Sequence, residues 1–469
     1  MNLQTSRIVG GFAMCLLAAW VAVVAQTAPA VDFQSAIDTI AEKGGGRVMV
    51  PPGRHLTGGL VLRSNVELHL ESGAILEGRS DKAVYPLVRL PYSEGDWMAV
   101  VMAIGVTNVA ITGEGEIFGN GSEWPQPMTY GQNQEGWRPR GVFFGNCQGV
   151  RLEGFRLRDS ASWGIVFKCC EDVIARNVSV DNHANANNDG FDIEARNVLI
   201  EDCDVDSGDD AFCIKSNNPD FAVENVVVRR CVARSHCNGF KIGTASHGTM
   251  RNIRFERCRT AAPRRDFIDR RPGSENFGKN WFLRPGYPDF PNGVGTSAMA
   301  VENVDGGLVE DVSFHEVEIA GFQVPIFVRG GLRVGRSCGT PPSRRRILRN
   351  IRFEHVRGCG ESPLASSITG VTGLRLKDVL LRDVKVECKG AGIVRSRTAL
   401  HTPVPELAGA YPDAMMFMDV LLPAYGLYVD KADDVTLDRV SFSLRKGTLD
   451  VRPAVLDTAR SFPVETSRD

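Results

Sequence analysis

A four-residue pattern, usually Asn or Asp followed by an apolar, any and an apolar residue, recurs over most of this chain. It appears as NVEL (65–68), NVAI (108–111), GVRL (149–152), DVIA (172–175), NVLI (197–200), NVVV (225–228), NIRF (252–255), DVSF (311–314), NIRF (350–353), DVLL (378–381) and DVTL (434–437). From Val150, the anchors Val173, Val198, Val226 and Ile253 follow at intervals of 23, 25, 28 and 27 residues. Alternation with a period of two, in pieces too short for helices, means several short strands per repeat. Strands wound the same way in every repeat stack into a single-stranded right-handed parallel β-helix, one coil per repeat. A propeller needs about 40 residues per blade, and a leucine-rich solenoid needs a leucine consensus that these repeats lack.

A second column sets the register. GIVFKC (164–169), DGFDIEA (189–195), DAFCIKS (210–216) and GFKIGT (239–244) align Phe167, Ile193, Ile214 and Ile242, with Phe191, Phe212 and Phe240 two residues before the last three. Successive side chains of a strand point to opposite faces, so both sets point inward as apolar ladders. Asp192, Cys213 and Lys241 lie between them and point outward, on three successive coils about 4.8 Å apart.

The flanking segments fit such a solenoid. DFQSAIDTIAEKGGG (32–46) places Phe33, Ile37 and Ile40 at helical spacing and stops at Gly44, which reads as the helical cap that the open end of a solenoid needs. Residues 1–30 carry Arg7 ahead of an apolar run and small residues behind it, the pattern of a secretory signal peptide cleaved near Ala25 or Ala30. The mature chain is then expected to be secreted or periplasmic, with 31–455 as the β-helix and 456–469 as an unpatterned tail. The stretch 260–296 breaks the repeat, contains Phe267, Phe277, Trp281, Phe282 and Phe290, and is too long for a turn, so it reads as an excursion near the functional site. Of the 12 cysteines, Cys203, Cys231 and Cys258 are spaced by 28 and 27 residues and read as stacked core thiols. Pairing of the adjacent Cys169 and Cys170 stays open, and no zinc-ligand spacing occurs. With 54 Lys and Arg against 56 Asp and Glu, a formal charge of -2, the chain has no overall field to draw nucleic acid or an acidic membrane. Hydrophobic residues at 43% and charged residues at 23% exclude a disordered or multi-span membrane chain.

The carboxylates carry the chemistry. Asp189, in NNDGFDI (187–193), lies four residues before Ile193, and Asp210, in GDDAFCIKS (208–216), lies four residues before Ile214, with Asp209 just ahead. The register gathers all three at one corner of adjacent coils. Singly, each is an ordinary turn residue beside Gly190 or Gly208. Three together repel one another and raise at least one pKa, a destabilising arrangement that function retains. A protonated acid beside an ionised carboxylate is what glycoside hydrolysis uses.

These two runs resemble the NTDG and [GQ]DD motifs of glycoside hydrolase family 28, the polygalacturonase-like pectin hydrolases. The likeness extends to VPPGRHLTGGLVLRSNVELHLESGAILEG (50–78), IFGNGSEW (117–124), RPRGVFFGNCQGVRLEGFRLRDSASWGIVF (138–167), ENVDGGLVEDVSF (302–314) and VPIFVRG (324–330), and covers about residues 31–445. It implies a pectin lyase-like β-helix, an inverting mechanism with no metal or other cofactor, a groove along the parallel sheet, and a pectic polysaccharide or oligosaccharide as substrate. Carried over by position, it makes Asp209 the general acid and Asp189 and Asp210 the pair that holds and activates water. Asn187 would orient that set, and Lys215 follows the family's Ile-Lys pair. The family's Gly-His-Gly falls on SHCNGFKIGT (235–244), where strict register puts Cys237 at the histidine position and His236 one residue early; His236 is the candidate for positioning the acid. The Arg-Ile-Lys that clamps a galacturonate carboxylate falls on GTSAMAVENVDGG (295–307), which has neither Arg nor Lys. Lys241 and Arg329 are the expected replacements, with Asp192 beside them on the substrate face. The loop cations Arg264, Arg265, Arg270, Arg271, Lys279 and Arg284 read mainly as a solvated charged face.

Two other readings stay open at this point. A β-helix polysaccharide lyase would use calcium held by such acids and an arginine base. A non-catalytic sugar-binding β-helix would tolerate Asp209→Asn. Trp124, Trp137 and Trp163 suit either, since aromatic faces stack on sugars. The favoured reading is a polygalacturonase-like hydrolase, exo-acting if 260–296 walls off one end of the groove. The sequence leaves the oligomeric state open.

Overall fold

The computed structural model describes residues 32–126, 138–279, 293–333 and 345–459. The signal-peptide stretch, Trp137, Trp281, Phe282, Arg284, Phe290 and the end of the tail lie outside the described residues. In the compact unit Phe33–Asp469 the chain winds into coils with three faces. One coil contributes, for example, Phe212–Ser216 to the first face, Val223–Arg229 to the second and Val232–Ser235 to the third. The first two faces join in one 22-stranded sheet because strands such as Ile165–Arg176 and Phe191–Glu201 bend from one face to the next without a break. The third face is a 12-stranded sheet. Neighbouring coils pair in parallel throughout this region. Successive parallel strands joined by crossovers wind to the right, so the fold is a right-handed parallel β-helix.

The recurring Asn or Asp has a conformational cause. Asn65, Asn108, Asn197, Asn225 and Asn252 have φ between 52° and 62°, the left-handed region that Asn tolerates better than other side-chain-bearing residues. The chain bends there as it enters the second face. The amides then stack: Asn225 Nδ2 donates to Asn197 Oδ1 at 3.0 Å, and Asn252 Nδ2 donates to Asn225 Oδ1 at 2.7 Å. Asn225→Ala removes both bonds and forces a left-handed alanine, and is expected to lower unfolding free energy by about 1–2 kcal/mol. An unchanged urea midpoint would contradict this account.

The interior is filled by the expected ladders. Phe191, Phe212 and Phe240 stack with ring centroids 5.5 and 5.4 Å apart, and Ile193, Ile214 and Ile242 are fully buried beneath them. Cys203, Cys231 and Cys258 are buried, and all ten described cysteines are free thiols. The N-terminal cap is the helix Phe33–Glu42, which buries Phe33 and Ile37 against the first coils. At the other end Val455–Asp457 still pairs with Leu427–Asp430, so regular structure runs two residues past the expected boundary at 455. A second helix, Gly392–His401, was not foreseen, because it carries no strong apolar stripe and buries only Ser396 and Ala399. Among the described residues no helix is long and apolar enough to cross a membrane.

Candidate active site

The acids occupy the corner where the third face passes into the first. Phe191, Phe212 and Phe240 are register partners, Gly190 N donates to Asp210 O (2.8 Å), and Ala211 N donates to Asn238 O (2.8 Å). Two residues back from the phenylalanines, Asp189, Asp210 and Asn238 therefore form one column, and Asp209 stands beside Cys237 in the next. Gly190 makes this tight stacking possible: a Cβ there would lie 2.4 Å from Ala211 O. The turn leading into Asp189 is pinned from below. Arg138 Nη1 donates to Ala161 O (2.7 Å), Asn185 Oδ1 (2.9 Å) and Ala186 O (2.6 Å), while His183 Nε2 lies 2.8 Å from Asp206 Oδ1.

The environments of the three aspartates differ. Asp210 accepts from Lys241 Nζ (2.9 Å) on one oxygen and from Asn238 Nδ2 (2.7 Å) and N (3.2 Å) on the other. Burial pushes its carboxyl up, but Lys241 and Asn238 outweigh burial and hold it below the usual range. Asp209 is half-buried, more exposed than Asp189 or Asp210, and is pushed up to about 6 by burial and by the charge of Asp210. It accepts from Asp210 N (3.0 Å), and Asn187 Nδ2 reaches its other oxygen at 3.5 Å. Asn187 takes this position through a left-handed backbone, φ 50°. Asp189 is buried and pushed well up by burial, then by Asp192 and Asp209. Asp192 points outward as expected, lies 2.7 Å from Lys215 Nζ, and is raised to about 6 by burial against the opposing pull of that lysine. Lys215 also stands 3.8 Å from Asp189 and over the Trp163 ring, 3.7 Å from its centroid. The site thus joins Asp189, Asp192, Asp209, Asp210, Asn187, Lys215 and Lys241.

Other expectations need correction. His236 does not reach the acids: its Nε2 lies 2.8 Å from Arg265 O, and its ring meets His183 edge-on at 5.6 Å. One residue along a strand reverses the side-chain direction, and the group that reaches Asp210 from this stretch is Asn238. The count back from the phenylalanines that placed Asp189 and Asp210 also lands on Asn238, so the signal was present in the sequence. Lys241 points outward but is buried, with its ammonium on Asp210 and 4.0 Å from Glu302 Oε2. Arg329 is buried and its guanidinium holds Thr369 Oγ1 (3.1 Å) and the carbonyls of Glu406 and Leu407, fastening the 402–412 segment. Neither presents a free cation to a sugar acid.

Arg264, Arg265 and Lys279 are exposed, as a solvated charged face requires, but Arg264, Arg265 and Arg270 are also tied to the coils. Arg264 pairs with Asp204 (2.9 Å), Arg265 with Asp159 (2.5 Å), and Arg270 donates to Ser122 O and to Ala184 O (2.6 Å). They strap 262–276 across the third face beside the turn that carries Asp189. Trp163, with Trp97 at 5.5 Å and Arg140 lying against both rings, belongs to a buried aromatic cluster.

Glu302 escaped sequence reading because only folding reveals its burial. It is fully buried, accepts from Thr244 Oγ1 (3.0 Å), and is pushed up to about 8 by burial, with Lys241 opposing. Among the described residues Asp209, Asp210 and Cys237 form one set whose ligand atoms lie within 4.8 Å of one another. Lys241 already neutralises that corner, and a thiol is a poor donor for a hard cation such as calcium, so the set does not fit a calcium-dependent lyase.

Residues 48–260 match the model of glycosyl hydrolases family 28. A probable polygalacturonase of Vitis vinifera is 25% identical over 252 residues, 49% of this chain and 51% of that protein. A probable rhamnogalacturonase C of Aspergillus flavus is 29% identical over 220 residues, 45% of this chain and 42% of that protein. The chain therefore aligns with about half the length of these curated relatives. Among solved structures, a hyperthermoactive exopolygalacturonase from Thermotoga maritima superposes with a TM-score of 0.56 at 24% identity, covering 76% of this chain and 83% of that one. A polygalacturonase from Erwinia carotovora gives 0.56 at 16% identity, covering 75% and 88%. Both share the fold. Over the matched stretch, residues 48–260, which also holds the stacked aspartates, this chain is similar to glycosyl hydrolases family 28.

Proposed function

We propose that this protein is a polygalacturonase-like glycoside hydrolase that cleaves a pectic polysaccharide or its oligosaccharides, inverting the anomeric centre and working from a chain end. The observation that carries the reading is the pair of neighbouring carboxyls with opposite tuning: Asp209 raised to about 6 and Asp210 held ionised by Lys241 and Asn238. Two carboxyls whose surroundings push their pKa values apart divide the acid and base roles. Asp209 gives its proton to the leaving oxygen. Asp189 and Asp210 hold the water, and the proton that the water sheds as it attacks goes to the ionised Asp210. Action from a chain end is supported by the strap 262–276 beside the catalytic turn. Residues 1–30 support a secreted or periplasmic location.

Product analysis on homogalacturonan, rhamnogalacturonan and neutral-branched oligomers, wild type against Asp209→Asn, tests the reading. New reducing ends of inverted configuration with wild type alone uphold it, and mid-length early products would remove the exo assignment. The rate should follow a bell in pH. It rises as Asp210 ionises and falls as Asp209 loses its proton through about 6, with Asp189 and Asp209 titrating as a linked set. A rate independent of pH from 4 to 8 would remove these groups from the mechanism.

A further inference from the structure

Past Lys241 the outward row of the first face stops being charged. Lys241 is followed in register by Ala300, Phe327, Ser367 and Tyr428 on the next four coils. Ala300 and Phe327 are buried in one apolar cluster with Met415, Phe417 and Leu421, which come from the excursion 389–426 between the strands Lys385–Cys388 and Leu427–Asp430. This excursion therefore covers the first face immediately beyond the acids. Tyr411 lies in it, just ahead of the covering residues. Its ring turns a face toward Lys241, whose Nζ is 5.7 Å from the centroid, and its hydroxyl lies 3.1 Å from Thr244 Oγ1. The backbone on either side is fastened. Leu332 N donates to Ala408 O (2.7 Å), Thr372 N and Oγ1 donate to the Glu406 carboxylate (2.7 and 3.1 Å), and Asp413 accepts from Met415 N (2.8 Å) at the start of the short helix Ala414–Phe417. Held in this way, Tyr411 still keeps 40% of its surface exposed. An aromatic ring that is both fixed and accessible loses little conformational freedom when a ligand packs on it. Lys241 Nζ is 2.9 Å from Asp210, so a sugar set over Asp210 has the Tyr411 ring at its side.

We propose that Tyr411 is a substrate-contacting residue: its ring is the wall on which a sugar bound beside Asp209 and Asp210 packs, at the end of the site where 414–422 covers the first face. The inference rests on the hydrolase reading of this site and adds to it a residue from outside the repeat. Sugars present apolar C–H faces, and a ring placed beside the reacting bond fixes their orientation without adding charge to a corner already crowded with ionisable groups.

The test takes whichever of the homogalacturonan, rhamnogalacturonan and neutral-branched oligomers wild type cleaves, and measures kcat and KM for Tyr411→Ala and Tyr411→Phe. Loss of the ring is expected to raise KM about tenfold and to leave the shape of the pH profile in place, because the acids are untouched. Tyr411→Phe keeps the ring and should recover most of that loss. Tyr411→Leu, bulky but without an aromatic face, should behave as the Ala variant does and takes its place if that variant does not fold. An unchanged KM in Tyr411→Ala, or a Phe variant as impaired as the Ala variant, overturns the inference while the hydrolase reading stands. So does a fall in kcat with KM unchanged, the mark of a disturbance passed through Thr244 to Glu302 and Lys241. If wild type cleaves none of these oligomers, the hydrolase reading fails, and calorimetric binding of the same oligomers decides the inference separately: weaker binding to Tyr411→Ala than to wild type supports it, and equal binding, or no binding to either protein, overturns it.

Discussion

Replacing Asp209 by Asn should lower kcat by about 100- to 10,000-fold with little change in KM, the span that removal of a general acid produces. Asn keeps the shape and can still accept from Asp210 N, which donates to Asp209 at 3.0 Å. What it lacks is a proton to give. The raised value of about 6 means that wild type retains that proton in mildly acidic solution, so the loss should be greatest below pH 6 and shrink above it, where wild type also lacks the proton. Single-turnover rates across this range, with binding followed by calorimetry, separate the two effects. A variant that keeps more than about a tenth of wild-type turnover at pH 5 would remove Asp209 from the acid role.

Lys241→Met should destabilise the fold by about 3–5 kcal/mol, the usual effect of breaking a buried ion pair from one side. Asp210 would keep only Asn238, and Glu302 would lose its nearest cation. The signs of the linkage define the window. Asp210 is depressed in the folded state, so its contribution is present above the unfolded carboxylate value near about 3.9 and is lost as pH falls through the lower folded value. Lys241 is raised, so its contribution is present below the unfolded value near about 10.4 and is lost as pH rises through the higher folded value. The deficit of the variant is therefore full between about pH 4 and 10 and narrows on the acid side as Asp210 protonates. Urea unfolding at pH 6 and at pH 3 measures it. Equal stabilities at pH 6 would mean that the pair contributes nothing. The same substitution raises the carboxyl of Asp210 and should move the acid limb of the rate profile upward, an effect that loss of stability alone does not produce.

The strength and the weakness of sequence reading here have one source. Anything governed by strand periodicity was legible: the coils, the inward Phe and Ile ladders, the outward column of Asp192, Cys213 and Lys241, and the gathering of Asp189, Asp209 and Asp210 at one corner. Those follow from a period of two repeated about every 25 residues, which a linear chain displays directly. His236, which strict register already put one residue early, has its Nε2 on Arg265 O and not on Asp210, since parity in a strand is all or nothing. Lys241 and Arg329 show a different effect of folding. Their directions or positions were compatible with a substrate contact, but their partners come from distant parts of the chain: Asp210 and Glu302 for one, the carbonyls of Glu406 and Leu407 for the other.

Glu302 and the loop arginines make the same distinction. A carboxyl pushed up to about 8 and a strap fastened to Asp159, Asp204 and Ala184 depend on burial and on contacts across several coils. The sequence alone determined the winding of the chain and the column in which its acids stand, because repeat spacing and side-chain alternation are local properties. Only the tertiary structure decided which charges face a ligand and which are neutralised within the protein, because burial and pairing depend on segments that meet only after the coils stack.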